Sequence, residues 1–221
     1  MQKHLIHLAQ KQHKPVITAT QMMESMITQV VPTRAEMSDV ANAVLDGTDA
    51  VMLSEETAMG QHPALVIETM ARACLGAREY YDSIKIEHDA TPVGKFERID
   101  ETIAMSTVFA ANHLNVTGIC ALTESGTTPL WMSRRQAKAP IFGLSRHQKT
   151  LGKMTLYRGV FPIPFDATSF TRDQLNIEAI NCLATLKVVK DGDRIILTKG
   201  DTTGIGGGAN AMKILIVGEV A

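Results

Sequence analysis

Two hydroxyl side chains stand where strand-like runs end. Thr20 closes the run Pro15–Thr20, and Ser54 follows Ala50-Val51-Met52-Leu53. They lie 34 residues apart, one βαβ period. In a parallel α/β layout, side chains that end the strands converge on the ligand-binding face, so Thr20 and Ser54 would share one rim. A Ser or Thr at a strand end also serves as a helix cap or turn residue, and the pattern alone leaves both readings open. A second cluster is Leu122-Thr123-Glu124-Ser125-Gly126-Thr127-Thr128-Pro129, in which a strand runs into a hydroxyl-rich loop and then a helix. Hydroxyls and free amides in such a turn suit a phosphate group; the competing reading is Thr128 as an ordinary helix cap. Gly204-Ile205-Gly206-Gly207-Gly208-Ala209 fits the G-x-G-x-x-A spelling of dinucleotide sites, yet that motif needs a helix opening at the glycines. Here a strand-like run follows, and a dinucleotide site is rejected. His4 and His7 share a helix face without further metal ligands, and Glu55-Glu56 reads as part of a solvated loop.

The elements that position these residues follow from periodicity. Thr33-Arg34-Ala35-Glu36 fits a capping box opening a helix whose apolar residues Met37, Val40, Ala41 and Val44 recur at helical spacing. Gly47 suits a left-handed stop, and Pro63 suits the first position of a helix with Val66, Met70, Ala73 and Ala77 on one face. From Asp82 to Asp100 the periodicity fails and charge rises, which reads as a linker between domains 1–82 and 83–221. Beyond it, Ile99, Ile103, Thr107, Ala110 and Leu114 mark a helix face. Strand-like runs follow at 118–122, 140–144, 160–165, 194–198 and 212–217, with helical stretches near 129–136 and 172–186. The expected fold is therefore α/β, the later part carrying a mostly parallel sheet of about five strands.

Composition narrows the function. With 22 basic and 23 acidic residues and 5% aromatics, nucleic acid is not an expected partner. No apolar run approaches the ~20 residues that span a membrane. Cys74, Cys120 and Cys182 are too few and too far apart for a disulfide framework or zinc site, and they read as buried small residues in a reducing compartment. The chain reads as soluble and cytoplasmic.

Longer stretches then become recognisable. Lys14-Pro15-Val16-Ile17-Thr18-Ala19-Thr20-Gln21-Met22-Met23-Glu24-Ser25-Met26 resembles the seventh-strand segment of pyruvate kinases. Pro32-Thr33-Arg34-Ala35-Glu36 and Asp39–Gly47 resemble the following helix, and Met52-Leu53-Ser54 with Glu56-Thr57-Ala58 and Gly60 the eighth strand and its loop. The resemblance implies that residues 1–82 are the last βα units of a TIM barrel and 83–221 the family's C-terminal effector domain. It implies that Thr20 and Ser54 border the phosphoenolpyruvate site, where a proton must reach carbon after phosphoryl transfer to ADP. It implies, too, that Thr123, Ser125, Gly126, Thr127 and Thr128 hold the phosphate of an allosteric ligand, with the loop from Thr202 to Ala209 closing over it. Glu55 departs from the family's usual small residue and is expected to point outward. Glu124 departs as well; a carboxylate there disfavours a doubly phosphorylated sugar, so the expected effector is a sugar monophosphate or AMP, or none. Arg34 and the Asp39–Asp46 helix fall where the family makes subunit contacts, implying a homo-oligomer.

The family's enzyme uses Mg2+ and K+, held with a catalytic lysine on earlier barrel strands, and no segment here resembles those stretches. No metal ligands are assigned in this chain. A TIM barrel takes ~250 residues and eight strands, of which two are recognisable. The expectation is a C-terminal portion of a pyruvate kinase, inactive alone. The alternatives are an effector-binding or oligomerisation module and the complementing half of a split enzyme.

Overall fold

The helix signals of the first 84 residues are realised closely. In the computed structural model, which describes residues 1–19, 21–84, 96–135, 137–202 and 208–219, α1 (Gln2–Lys11) leads into β1 (Ile17–Thr18) and a 3-10 turn at Glu24–Ile27. Helix α2 (Arg34–Leu45) opens with the full capping box: Thr33 Oγ1 accepts from the Glu36 amide, and the Glu36 carboxylate accepts from the Thr33 amide at 2.7 Å. It stops at Gly47, whose φ of 93° lies in the left-handed region that glycine enters without steric cost. Strand β2 (Ala50–Val51), the short α3 (Glu55–Ala58) and α4 (Pro63–Ile84) complete this unit. On α4 the four expected positions Val66, Met70, Ala73 and Ala77 are all buried. On α2 the buried pair is Val40 and Ala43, with Met37, Ala41 and Val44 only half-buried.

β1 and β2 pair in parallel, Ile17 opposite Ala50 and Thr18 opposite Val51, and each strand is shorter than its apolar run suggests. Side chains supplement so short a ladder. The Thr48 hydroxyl lies 3.1 Å from the Val16 carbonyl and 2.9 Å from the Thr18 hydroxyl, and the Val16 amide donates to Asp49 at 2.8 Å. The core beneath is small and rich in sulfur: Met22, Met23, Met26, Val40, Ala43, Val66, Met70 and Ala73. The unbranched thioethers of methionine fill irregular gaps of this kind.

The chain divides into two compact units, Met1–Pro92 and Val93–Ala221. The second begins with α5 (Ile99–Leu114) and continues β3 (Gly118–Leu122), α6 (Thr127–Ser133), β4 (Ile141–Ser145), α7 (Gln148–Met154), β5 (Val160–Pro164), a 3-10 turn at Ala167–Ser169, α8 (Arg172–Thr185), β6 (Arg194–Gly200) and β7 (Ala209–Ile216). The sheet order is β5-β4-β3-β6-β7, parallel throughout except for the antiparallel β6–β7 pair. Alternate residues along each strand enter opposite cores. Ile119, Ala121, Ile141 and Ile196 pack with Met132, Leu151 and Met154 on one face; Cys120, Phe142, Leu144, Ile195 and Leu197 pack with Ala179, Ile180 and Leu183 of α8 on the other. A sheet covered on both faces explains why its strands read as unbroken apolar runs.

Two expectations need correction. The buried face of α5 is Asp100, Ala104, Met105, Thr107, Val108 and Ala111; Thr107 lies where the sequence puts it, while Ile99 is 70% exposed. Met105 is the one large apolar side chain on that face, and the alanines and Thr107 make up most of the rest. Buried Asp100 is matched by Arg98 through two bonds of 2.9 and 2.8 Å. Glu56, read as part of a solvated loop, is 3% exposed, whereas Glu55 beside it is exposed as expected.

Candidate functional site

At the strand-end rim of the first unit, Thr20 lies outside the described residues. Ser54 occupies the N-cap position of α3 but makes no capping bond with its side chain, and the residue is exposed. The carboxylate of Glu56 takes over instead, accepting from the Ser54 amide at 2.7 Å and from the Met23 amide at 3.3 Å. It thereby ties the loop after β1 to the loop after β2. Burial pushes the Glu56 carboxyl up, but these amides and its own outweigh that and hold it below the ordinary value. Glu36 behaves alike: burial opposes its charge, and donors from Ser25 and Thr33 overcome the effect. Ser25 gives Glu36 both its amide, at 2.7 Å, and its hydroxyl, at 2.5 Å.

The second unit has its crevice at the carboxyl ends of β3, β4 and β6. β4 and β5 lie to one side of β3 and β6 to the other, so the winding reverses between β3 and β6. That reversal is where open α/β sheets part their loops and admit ligands. The crevice is open to solvent. Thr123, Glu124, Thr128, Ser145, Arg146, Lys199 and Thr202 supply its polar lining, and Phe165, Leu175 and Ala209 are among its apolar members.

Of the five residues expected to hold phosphate, Thr123 and Thr128 line this crevice, while Ser125, Gly126 and Thr127 belong to the same turn outside the lining. The turn is internally bonded: the Gly126 amide donates to Thr123 Oγ1 at 2.9 Å, and the Ser125 and Thr127 hydroxyls lie 2.7 Å apart. Gly126 has φ 80°, and a Cβ there would sit 3.3 Å from Met154 Cγ, so both conformation and space call for glycine. Thr128 is buried but makes no cap; Gly126 is the N-cap residue of α6. Of the glycine-rich loop, Thr202, Gly208 and Ala209 reach the crevice, and residues 203–207 lie outside the described residues. Ala209 opens strand β7, in keeping with rejection of a dinucleotide motif.

The cationic residues of the crevice were not singled out from sequence. Arg146 follows β4 and donates to Glu124 at 3.3 Å, while His147 Nε2 donates to the same oxygen at 2.5 Å. Arg146 also reaches the Thr168 hydroxyl at 3.3 Å. Lys199 stands one residue before the end of β6 and donates to Asn176 at 2.8 Å. Burial, with the nearby charges of Arg172 and Lys213, pushes its ammonium below the usual range. The strand-end rule that nominated Thr20 and Ser54 applies equally to these residues.

The family models for the pyruvate kinase barrel domain and the pyruvate kinase alpha/beta domain match residues 1–67 and 101–215. The chain belongs to the pyruvate kinase family. Among curated relatives, pyruvate kinase II of Salmonella typhimurium is 50% identical over 218 residues, which are 98% of this chain and 45% of that protein. The pyruvate kinase of Haemophilus influenzae is 48% identical over 201 residues, 90% of this chain and 41% of the relative. That of Staphylococcus saprophyticus is 40% identical over 219 residues, 99% of this chain and 37% of the relative. The chain thus spans less than half the length of each.

Pyruvate kinases imply divalent and monovalent cations. Among the described residues no group of three His, Cys, Asp or Glu is arranged to hold a metal ion. The buried carboxylate of Glu56, at the rim, is taken up by backbone amides. The described residues therefore offer no cluster of such side chains for a divalent cation, and no step is routed through one. No helix among them is long and apolar enough to cross a membrane.

Proposed function

We propose that this chain serves a pyruvate kinase, which moves the phosphoryl group of phosphoenolpyruvate to ADP in the cytoplasm. In this reading residues 1–82 supply the last units of the catalytic barrel and 83–221 a phosphate-responsive domain. Thr20 and Ser54 border the enolpyruvate. A Ser54 hydroxyl not spent on capping is free to pass a proton through water toward carbon, provided another group sets the exchange. Residues 1–221 alone do not turn over substrate, because the lysine, Mg2+ and K+ positions of the family have no counterpart here. The effector is a sugar monophosphate or AMP, and the assembly is a homo-oligomer.

The observation that carries the effector assignment is the crevice at the β3–β6 reversal, with threonine hydroxyls on one strand end and Arg146 and Lys199 on its neighbours. A second reading, an effector-binding module, draws support from the compactness of Val93–Ala221 by itself. Calorimetric titration of the chain tests the assignment: glucose 6-phosphate or AMP binds, and Thr123→Val weakens binding several-fold. Tight binding of fructose bisphosphate overturns the monophosphate assignment. Turnover of phosphoenolpyruvate and ADP well above a Ser54→Ala control overturns the claim of inactivity.

A further inference from the structure

Glu124 and Arg146 both line the crevice, one from the loop after β3 and the other from the loop after β4. Their side chains meet each other across it. A single carboxylate oxygen, Oε2, accepts from Arg146 Nε at 3.3 Å and from His147 Nε2 at 2.5 Å. The Glu124 side chain is only 16% exposed, against 36% for Arg146 and 49% for His147, so the carboxylate lies inside and its donors toward solvent. Two N–H groups converging on one oxygen form the seat a phosphate oxygen takes, since guanidinium and imidazole N–H groups donate to phosphate and carboxylate oxygens alike.

We propose that Glu124 is a built-in occupant of this anion seat: a phosphate monoester enters the crevice by displacing the carboxylate from Arg146 and His147. The inference rests on the effector reading above and changes its physics. Glu124 is a competitor for the donors, not a distant repulsive charge. A ligand must offer a stronger acceptor than a carboxylate, and a phosphate dianion does so with its spare oxygens, whereas a neutral sugar cannot. Apparent affinity is reduced by the fraction of time the seat is free. The loop does not depend on the side chain for its place, because Thr150 Oγ1 donates to the backbone carbonyl of Glu124 at 2.7 Å.

Calorimetry with glucose 6-phosphate, and with inorganic phosphate as the minimal probe, tests this on the full chain. Glu124→Gln is expected to tighten glucose 6-phosphate binding roughly five- to tenfold, as emptying a mostly filled seat would. Glu124→Ala serves as the second variant should the first not fold. In an Arg146→Gln, His147→Gln background the same Glu124 substitution is expected to change affinity less than twofold, since no seat remains to be vacated. A gain that persists in that background overturns the proposal in favour of simple repulsion. An unchanged affinity in the wild-type background also overturns it, even where Thr123→Val weakens binding and the effector reading stands. Absence of phosphate binding in every variant removes both.

Discussion

The two units hold themselves together by different means. In Met1–Pro92 the strands are two residues each and among the described residues pair only with one another, so their alignment leans on Thr48, Asp49 and Glu56. Its core counts four methionines among eight buried members, and Ile17, Val31 and Met59 remain exposed. In Val93–Ala221 the central strands β3, β4 and β6 are buried between helices on both faces, with Ile195, Ile196 and Leu197 fully enclosed beside Leu183 of α8. Charge-assisted ties position a site but bury little; a two-faced sheet buries much, and can give its strand ends to loops and crevice.

Breaking the second unit carries the largest expected effect. Ile196→Ala empties a fully buried position and costs about 3 kcal/mol, seen in scanning calorimetry as a fall in the upper of two transitions. If the lower transition falls equally, the units are not independent and the contrast fails. Glu56→Gln comes next. It removes a buried ionised acceptor of two amides, worth about 2 kcal/mol, and lowers only the first transition. The sign with pH follows: Glu36 and Glu56 titrate below their ordinary value of 4.5. Their stabilisation is therefore full above that value and is lost as pH falls through the folded pKa. Acid should lower the first transition, less steeply in Glu56→Gln than in the wild type. Smallest is Thr33→Ala, which deletes one half of the capping box for about 1 kcal/mol and moves the first transition alone.

The sequence makes much of this legible. Gly118–Leu122 reads as a strand because both of its faces are buried, and the capping box and Gly47 mark the ends of α2 because each meets a backbone need that few other residues meet. The face of α5 is legible only at Thr107, since hydropathy ranks Ile99 at the start of the helix above Ala104 and Met105, which are the ones that pack into the core. Glu56 escaped because a carboxylate is buried only when donors converge on it, and those donors are amides of Met23 and Ser54, which have no signature in side-chain chemistry. Arg146 and His147 escaped for a related reason: their partner Glu124 lies on another strand end, brought near only by the pairing of β3 with β4.

The strand order has a consequence in time. β3 is the first strand of its sheet to be synthesised, and β4 and β5 follow to cover one side of it. The neighbour on its other side, β6, begins only at Arg194, after α8 is complete. A chain emerging from the ribosome therefore carries the open edge of its central apolar strand for most of the making of the unit. Such an edge is a template for pairing with the wrong chain. The crevice itself comes into being only when β6 docks, so capacity to take a ligand arrives together with relief from that hazard.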